Sequence, residues 1–187
     1  MKGRTIILLI LSGFILIAVM TIDGLRQVGD NQGYEPEQPI AFSHKIHAGD
    51  NQIQCMYCHF GAELSRHAGI PPASTCMNCH TKIKTDSPEI AKITQALASN
   101  KPIEWVKVHH LADFVYFNHS QHVVSGKISC QTCHGEVEKM TRMRQDAPVT
   151  MGWCLECHRN SDVVVHGKTE ITKESDIGGQ DCAKCHY

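Results

Sequence analysis

All ten cysteines of this 187-residue chain fall in one pattern: CMYCH at Cys55–His59, CMNCH at Cys76–His80, CQTCH at Cys130–His134, CLECH at Cys154–His158 and CAKCH at Cys182–His186. Two thiols three positions apart can each add to a vinyl group of one haem as a thioether, and the histidine that follows then lies under the iron as proximal ligand. Cys55, Cys58, Cys76, Cys79, Cys130, Cys133, Cys154, Cys157, Cys182 and Cys185 are therefore candidate attachment points for five covalently bound haem c groups. His59, His80, His134, His158 and His186 are the candidate proximal ligands. A single CxxC could be a redox dithiol or half a zinc site. A disulfide framework would not place every cysteine pair at one spacing, and zinc ribbons need no fixed trailing histidine.

Candidates for the sixth coordination position are plentiful, because eight histidines lie outside these motifs: His44, His47, His67, His109, His110, His119, His122 and His166. A shift of 75 residues superposes Phe42-x-His44-x-x-His47 on Phe117-x-His119-x-x-His122, and Cys55–His59 on Cys130–His134. Two imidazoles three apart can point from one helical turn toward two different haems, so His44, His47, His119 and His122 are expected to be distal ligands. The fifth distal position has three candidates, in the order His109, Met140 and His67; a methionine thioether is a legitimate axial ligand that raises the potential. Met143 and Met151 are further thioethers whose ordinary role is to fill gaps in an apolar wall, and His166 sits in a polar stretch. With all five irons six-coordinate, no position is open to substrate. The expectation is electron transfer, with no catalytic residue.

The elements that must hold these groups are short. From residue 41 onward, five macrocycles leave only about thirty residues each, too few for a core of side chains, so the haems are expected to be the core. The predicted fold is mainly α and irregular with little β. Its clearest helix runs from Pro88 to Ser99, with Ser87 as N-cap, Ile90, Ile93 and Leu97 on one face, and a stop at Lys101-Pro102. Ahead of the haem domain, residues 5–22 carry no charge and suit one transmembrane helix. A cleaved signal peptide would normally have a shorter apolar region. Lys2 and Arg4 keep the short N-terminal end in the cytoplasm, which puts the haem domain on the periplasmic side of a bacterial cytoplasmic membrane. The organisation read from the sequence is an anchor at 1–24, a polar tether at 25–40 and a pentahaem domain at 41–187. That domain holds an internal repeat, 42–80 and 117–158, and a C-terminal fifth site. A net charge of −1 gives no electrostatic footprint for nucleic acid, and the length excludes a large two-domain enzyme.

The F-x-H-x-x-H element resembles that of the class III cytochromes of the c3 and c7 type. The runs FSHKIHAGDNQIQCMYCHFGAELSRHAGIPPASTCMNCH and WVKVHHLADFVYFNHSQHVVSGKISCQTCHGEVEKM, with APVTMGWCLECHR, resemble the pentahaem cytochrome subunit of alternative complex III. That resemblance implies electrons passing from a quinol-oxidising assembly through an iron–sulfur subunit into these haems. From there they would go to a periplasmic monohaem carrier or a terminal oxidase, with quinol oxidised in another subunit. It also makes a methionine ligand plausible, keeping Met140 in contention. Two alternatives use the same motifs: an anchored cytochrome that oxidises quinol directly, as tetrahaem quinol dehydrogenases do, and a free periplasmic electron carrier.

Overall fold

The computed structural model describes residues 2–26, 30–164 and 171–187. It forms two compact units that part between Asn31 and Gln32. The first is helix α1, Lys2–Arg26, whose 23-residue apolar stretch Gly3–Leu25 is long and apolar enough to cross a membrane or to serve as a signal segment. At helical rise it measures roughly 34 Å against a hydrocarbon core of about 30 Å.

In the second unit the helices are short: α2, Cys55–Cys58; α3, Gly61–Leu64; α4, Ala73–His80; α5, Pro88–Ser99; α6, Cys130–His134; and α7, Met151–Asn160. A single antiparallel pair, β1 (Asp162–Val164) with β2 (Ile171–Lys173), is the only sheet among the described residues. The fold is thus mostly helical and irregular. Four of the CxxCH motifs begin on or lie within α2, α4, α6 and α7, and the fifth begins on the tight turn Cys182–Lys184. A helical turn carries residues three apart on one side, which is what a pair of thioethers to one macrocycle requires.

Helix α5 forms where its sequence signals place it. The Ser87 hydroxyl accepts from the Glu89 N–H, Pro88 occupies the first turn, and Asn100 closes the helix at φ 51° with its N–H on the carbonyls of Ala96 and Leu97. Ile90 and Ile93 are buried against Ile40, with Ala73, Cys76, Met77, Ile103 and Trp105 around them. At about 1.5–3 kcal/mol per buried isoleucine, this small cluster fixes α4 and its attachment motif. Leu97, expected on the same face, is 42% exposed. Beyond that cluster, the buried apolar residues among those described are Ala62, Val108, Met140 and Ala147.

Of the stretch 25–40 expected as a tether, residues 32–40 are bonded to the domain. Gly33 N–H donates to the Gln145 carbonyl at 2.7 Å, and Gln145 N–H donates to the Tyr34 carbonyl at 3.1 Å. The Gln38 side chain pairs both ways with the Val106 backbone. Gln145 is fully buried, and its side-chain oxygen also accepts from the His110 N–H at 3.0 Å.

The two sequence copies grip each other reciprocally. Lys45 N–H donates to the Met140 carbonyl at 2.9 Å, and Ser120 N–H donates to the Ser65 carbonyl at 3.1 Å. These two bonds are the same bond displaced by 75 residues, made once in each direction. The approach is close enough that a Cβ at Gly49 would lie 2.3 Å from the Glu138 carbonyl oxygen.

Candidate haem-binding sites

The F-x-H-x-x-H elements do not form ordinary α turns. Lys45–Asp50 and Gln121–Ser125 are wide π turns, closed by Asn51 N–H to the Ile46 carbonyl and by Gly126 N–H to the Gln121 carbonyl. Such turns concentrate at functional sites because they re-aim side chains. Here Phe42 stands edge-on to His44 at 4.9 Å and stacks on His47 at 4.3 Å; Phe117 repeats this with His119 at 4.8 Å and His122 at 4.4 Å. Each phenylalanine therefore props two imidazoles that leave in different directions.

Each of those imidazoles faces the histidine of one CxxCH motif. The centroids lie 6.4 Å apart for His44 and His59, 6.1 Å for His47 and His80, 6.4 Å for His119 and His134, and 6.0 Å for His122 and His158. Rings in van der Waals contact would stand closer. A metal–imidazole bond of about 2.0 Å, with the ring centre roughly 1.1 Å behind the nitrogen, sets two trans imidazoles roughly 6 Å apart. The four separations fit that value. Among the described residues no group of three or more His, Cys, Asp or Glu side chains is disposed to hold a bare metal ion; the histidines come in opposed pairs.

Tautomer and orientation agree with iron ligation. A carbonyl can only accept, so an imidazole whose Nδ1 meets one carries its proton there and leaves the Nε2 lone pair for a metal. Nδ1–H donates to Gly69 from His59 at 2.7 Å, to Ile83 from His80 at 2.9 Å and to Phe114 from His186 at 3.0 Å. On the distal side it donates to Ser43 from His47, to Arg66 from His119 and to Asn118 from His122, each at 2.8 Å. Two motif histidines differ: His134 Nδ1 meets His109 Nε2 at 3.0 Å, and His158 Nδ1 faces a Glu174 carboxylate oxygen at 3.7 Å. Among the described buried polar atoms, His44 Nδ1 and His158 Nδ1 have no hydrogen-bond partner.

Burial, reinforced by neighbouring imidazoles, holds His44 and His134 down to about 4, and pushes His109 and His122 below the usual histidine range. These rings stay neutral, the form a metal needs. The thiols of Cys58, Cys133 and Cys154 are raised by burial first and then by thiols of adjoining motifs: Cys76 for Cys58, Cys157 and Cys154 for Cys133, and Cys185 for Cys154. Cys130 is raised by burial and by Cys55, with which it is in hydrogen-bond contact. The motifs therefore follow one another in space as second, first, third, fourth and fifth.

The fifth motif stands apart. His186 has Phe114 as its ring neighbour at 5.7 Å, and among the described residues no histidine ring opposes it as in the other four. Tyr116 N–H donates to the Cys185 carbonyl, the Tyr116 ring stacks on Tyr187 at 4.4 Å, and the Arg66 guanidinium lies 5.2 Å from its centre. Of the candidates for the fifth distal position, His109 lies beside His134, and Met140 is buried (4% exposed) where the two copies meet. His67 is exposed and directly follows Arg66. Met151 is 69% exposed, Met143 is half-buried, His110 is exposed, and His166 lies outside the described residues. The contacts of Gln145, His109 and Glu174 with the sites gave no sequence signal, because each spans chain segments with no shared motif.

Five CxxCH units, opposed imidazoles at iron-bridging distance and a small core of side chains are the arrangement that a c-type cytochrome with several haems would use. Residues 115–187 match the model of "cytochrome c7 and related cytochrome c", a span that starts just before Phe117 and runs to the C-terminus. Over 161 residues the chain is 29% identical to the protein named "menaquinone reductase, multiheme cytochrome c subunit" of Nitratidesulfovibrio vulgaris (strain Hildenborough), covering 81% of this chain and 69% of that one. The chain is thus similar to cytochrome c7 over its C-terminal 73 residues, and to a multihaem cytochrome c subunit over most of its length.

Proposed function

We propose that this protein is a membrane-anchored pentahaem electron relay, the cytochrome subunit of a quinone-linked respiratory complex. The carrying observation is the set of four histidine pairs at 6.0–6.4 Å, each joining a CxxCH histidine to one in a π turn or just ahead of it. In this reading the ten cysteines attach five haems; His44 and His59 (site 1), His47 and His80 (site 2), His119 and His134 (site 3), and His122 and His158 (site 4) cap four irons; and His186 holds the fifth (site 5). Bound haem supplies a one-electron couple at each iron, and the protein supplies orientation, burial and exclusion of other ligands.

His109 is reassigned to the outer side of site 3, since its Nε2 is engaged with His134. For the fifth distal position His67 has the closest structural link, through Arg66, Tyr116 and Cys185. Met140 stays the thioether candidate. Helix α1 serves as the anchor, with the haem domain periplasmic.

The partners in this reading are those of alternative complex III: an iron–sulfur subunit, a quinol-oxidising subunit and a periplasmic monohaem carrier or oxidase. The name of the relative from Nitratidesulfovibrio favours a second reading in which electrons enter the haems from a periplasmic carrier and leave toward menaquinone. Purifying the native complex and supplying it with either a menaquinol analogue or a reduced carrier decides between them. The isolated subunit should carry five haem masses, be fully low-spin apart from any change at site 5, and be unreactive toward quinol. Fewer haems, or direct quinol oxidation, would overturn the relay.

A further inference from the structure

The acceptors facing the proximal histidines differ systematically between the two copies. In the first copy His59 and His80 donate to backbone carbonyls, those of Gly69 and Ile83. In the second, His134 faces an imidazole and His158 a carboxylate. With Nε2 of His134 directed to iron, its Nδ1 carries the proton and donates to His109 Nε2, which fixes His109 as the Nδ1–H tautomer.

Both second-copy groups are held in place. The His110 N–H is bonded to the fully buried Gln145, and Val108 on the other side of His109 is also buried. Glu174 N–H donates to the Ser161 carbonyl at 3.1 Å, and the Glu174 carbonyl accepts from Gly179 N–H at 2.9 Å. A Cβ at Gly179 would come within 2.5 Å of the Glu174 side chain, so glycine leaves the carboxylate its room.

A neutral imidazole nitrogen is a stronger acceptor than an amide carbonyl, and a carboxylate brings a full negative charge. Either one increases the electron donation of the ligand histidine and favours the oxidised metal. At 3.7 Å the Glu174 contact is longer than a hydrogen bond and acts as a charge.

We propose that His109 and Glu174 are positioning residues that hold sites 3 and 4 at lower potential than their counterparts, sites 1 and 2. Resting on the relay reading above, this places a downhill step at the contact between Cys55 and Cys130, where the two copies meet. With haem bound, an electron crossing it would oxidise a ferrous iron held by His119 and His134 and reduce a ferric iron held by His44 and His59, with no bond made and no proton moved. Its source is a one-electron donor such as an iron–sulfur centre on the second-copy side, and its sink is a one-electron carrier on the first-copy side.

The test is a spectroelectrochemical titration of the full-length holoprotein and of Glu174→Gln, His109→Phe and His109→Gln. Glu174→Gln and His109→Phe are each expected to raise one of the five midpoint potentials, with the displaced centre among the lower ones of the unsubstituted protein. His109→Gln restores an acceptor and is expected to shift less than His109→Phe. Unmoved or lowered potentials, or displacement of the highest centres, would overturn the proposal. Intact mass and the low-spin electron paramagnetic resonance signals of the same samples report separately on the relay reading. Five haems with unmoved potentials sink only the gradient, whereas missing haems sink the relay.

Discussion

Residues 42–80 and 117–158 repeat one arrangement, and their agreement is closest at the opposed histidines. The opposed rings of the first site in each copy share a centroid distance of 6.4 Å, at interplanar angles of 18° and 5°. The second sites give 6.1 and 6.0 Å at 60° and 69°. Even the residue before each CxxCH approach repeats, with Gln52 at φ 54° and Lys127 at φ 53°. The copies diverge one layer further out, where the first uses carbonyls and the second uses His109 and Glu174. In the proposed relay, the inner geometry would be set by a rigid macrocycle that tolerates no drift, whereas the outer layer would set energies and be free to specialise.

The comparison can be broken most severely at the distal ligands. His44→Ala and His119→Ala should each convert one haem from low to high spin, and equal spectral losses in the two variants are expected. An unchanged spectrum in either removes that histidine from the ligand set. His67→Ala should do the same to one haem if it caps site 5, read by the same spectrum.

Acid tests both copies together. His44 in one and His134 in the other are held at about 4 against an ordinary 6.5, so the unfolded chain takes up protons first as pH falls. Stability should be level above pH 6.5 and decline as pH falls below it, with high-spin signal appearing as these imidazoles are displaced. A low-spin spectrum lost already at pH 6 contradicts this.

A smaller asymmetry lies at the junction. Gly49→Ala drives a methyl group into the Glu138 backbone and should cost about 1–3 kcal/mol in urea unfolding. Val124, at the equivalent position, is 52% exposed, and Val124→Ala should stay within about 0.5 kcal/mol. A smaller effect than at Gly49 is expected at Arg66. Arg66→Met removes a cation–π contact that Thr141 cannot make in the other copy, at a loss of about 0.5–1 kcal/mol by the same denaturation.

What could be read from the chain alone follows from the range of the interactions. The CxxCH units, the paired F-x-H-x-x-H elements and helix α5 are local, each determined by residues within a few positions of one another. Helical period puts Leu97 on the face of Ile90 and Ile93 but does not fix what covers it, and Leu97 stays exposed. The π form of the two histidine turns leaves no mark in a spacing of three that an α turn also satisfies. The place of His109 before LADFVYFNH makes it a ligand candidate and says nothing of its neighbour. Its contact with His134 spans 25 residues and depends on Gln145, which is nearer the other end of the chain. The docking of residues 32–40 likewise rests on bonds reaching more than sixty residues away.

The crossed bonds, Lys45 to Met140 and Ser120 to Ser65, imply something about ancestry. Because each is the other displaced by one repeat, a chain with a single copy could make both by associating with a second molecule of itself, as an isologous homodimer does. Fusion of two such genes would keep every contact while freeing each half to mutate alone. On this view the imidazole and the carboxylate behind the later haems are the first dividend of lost symmetry.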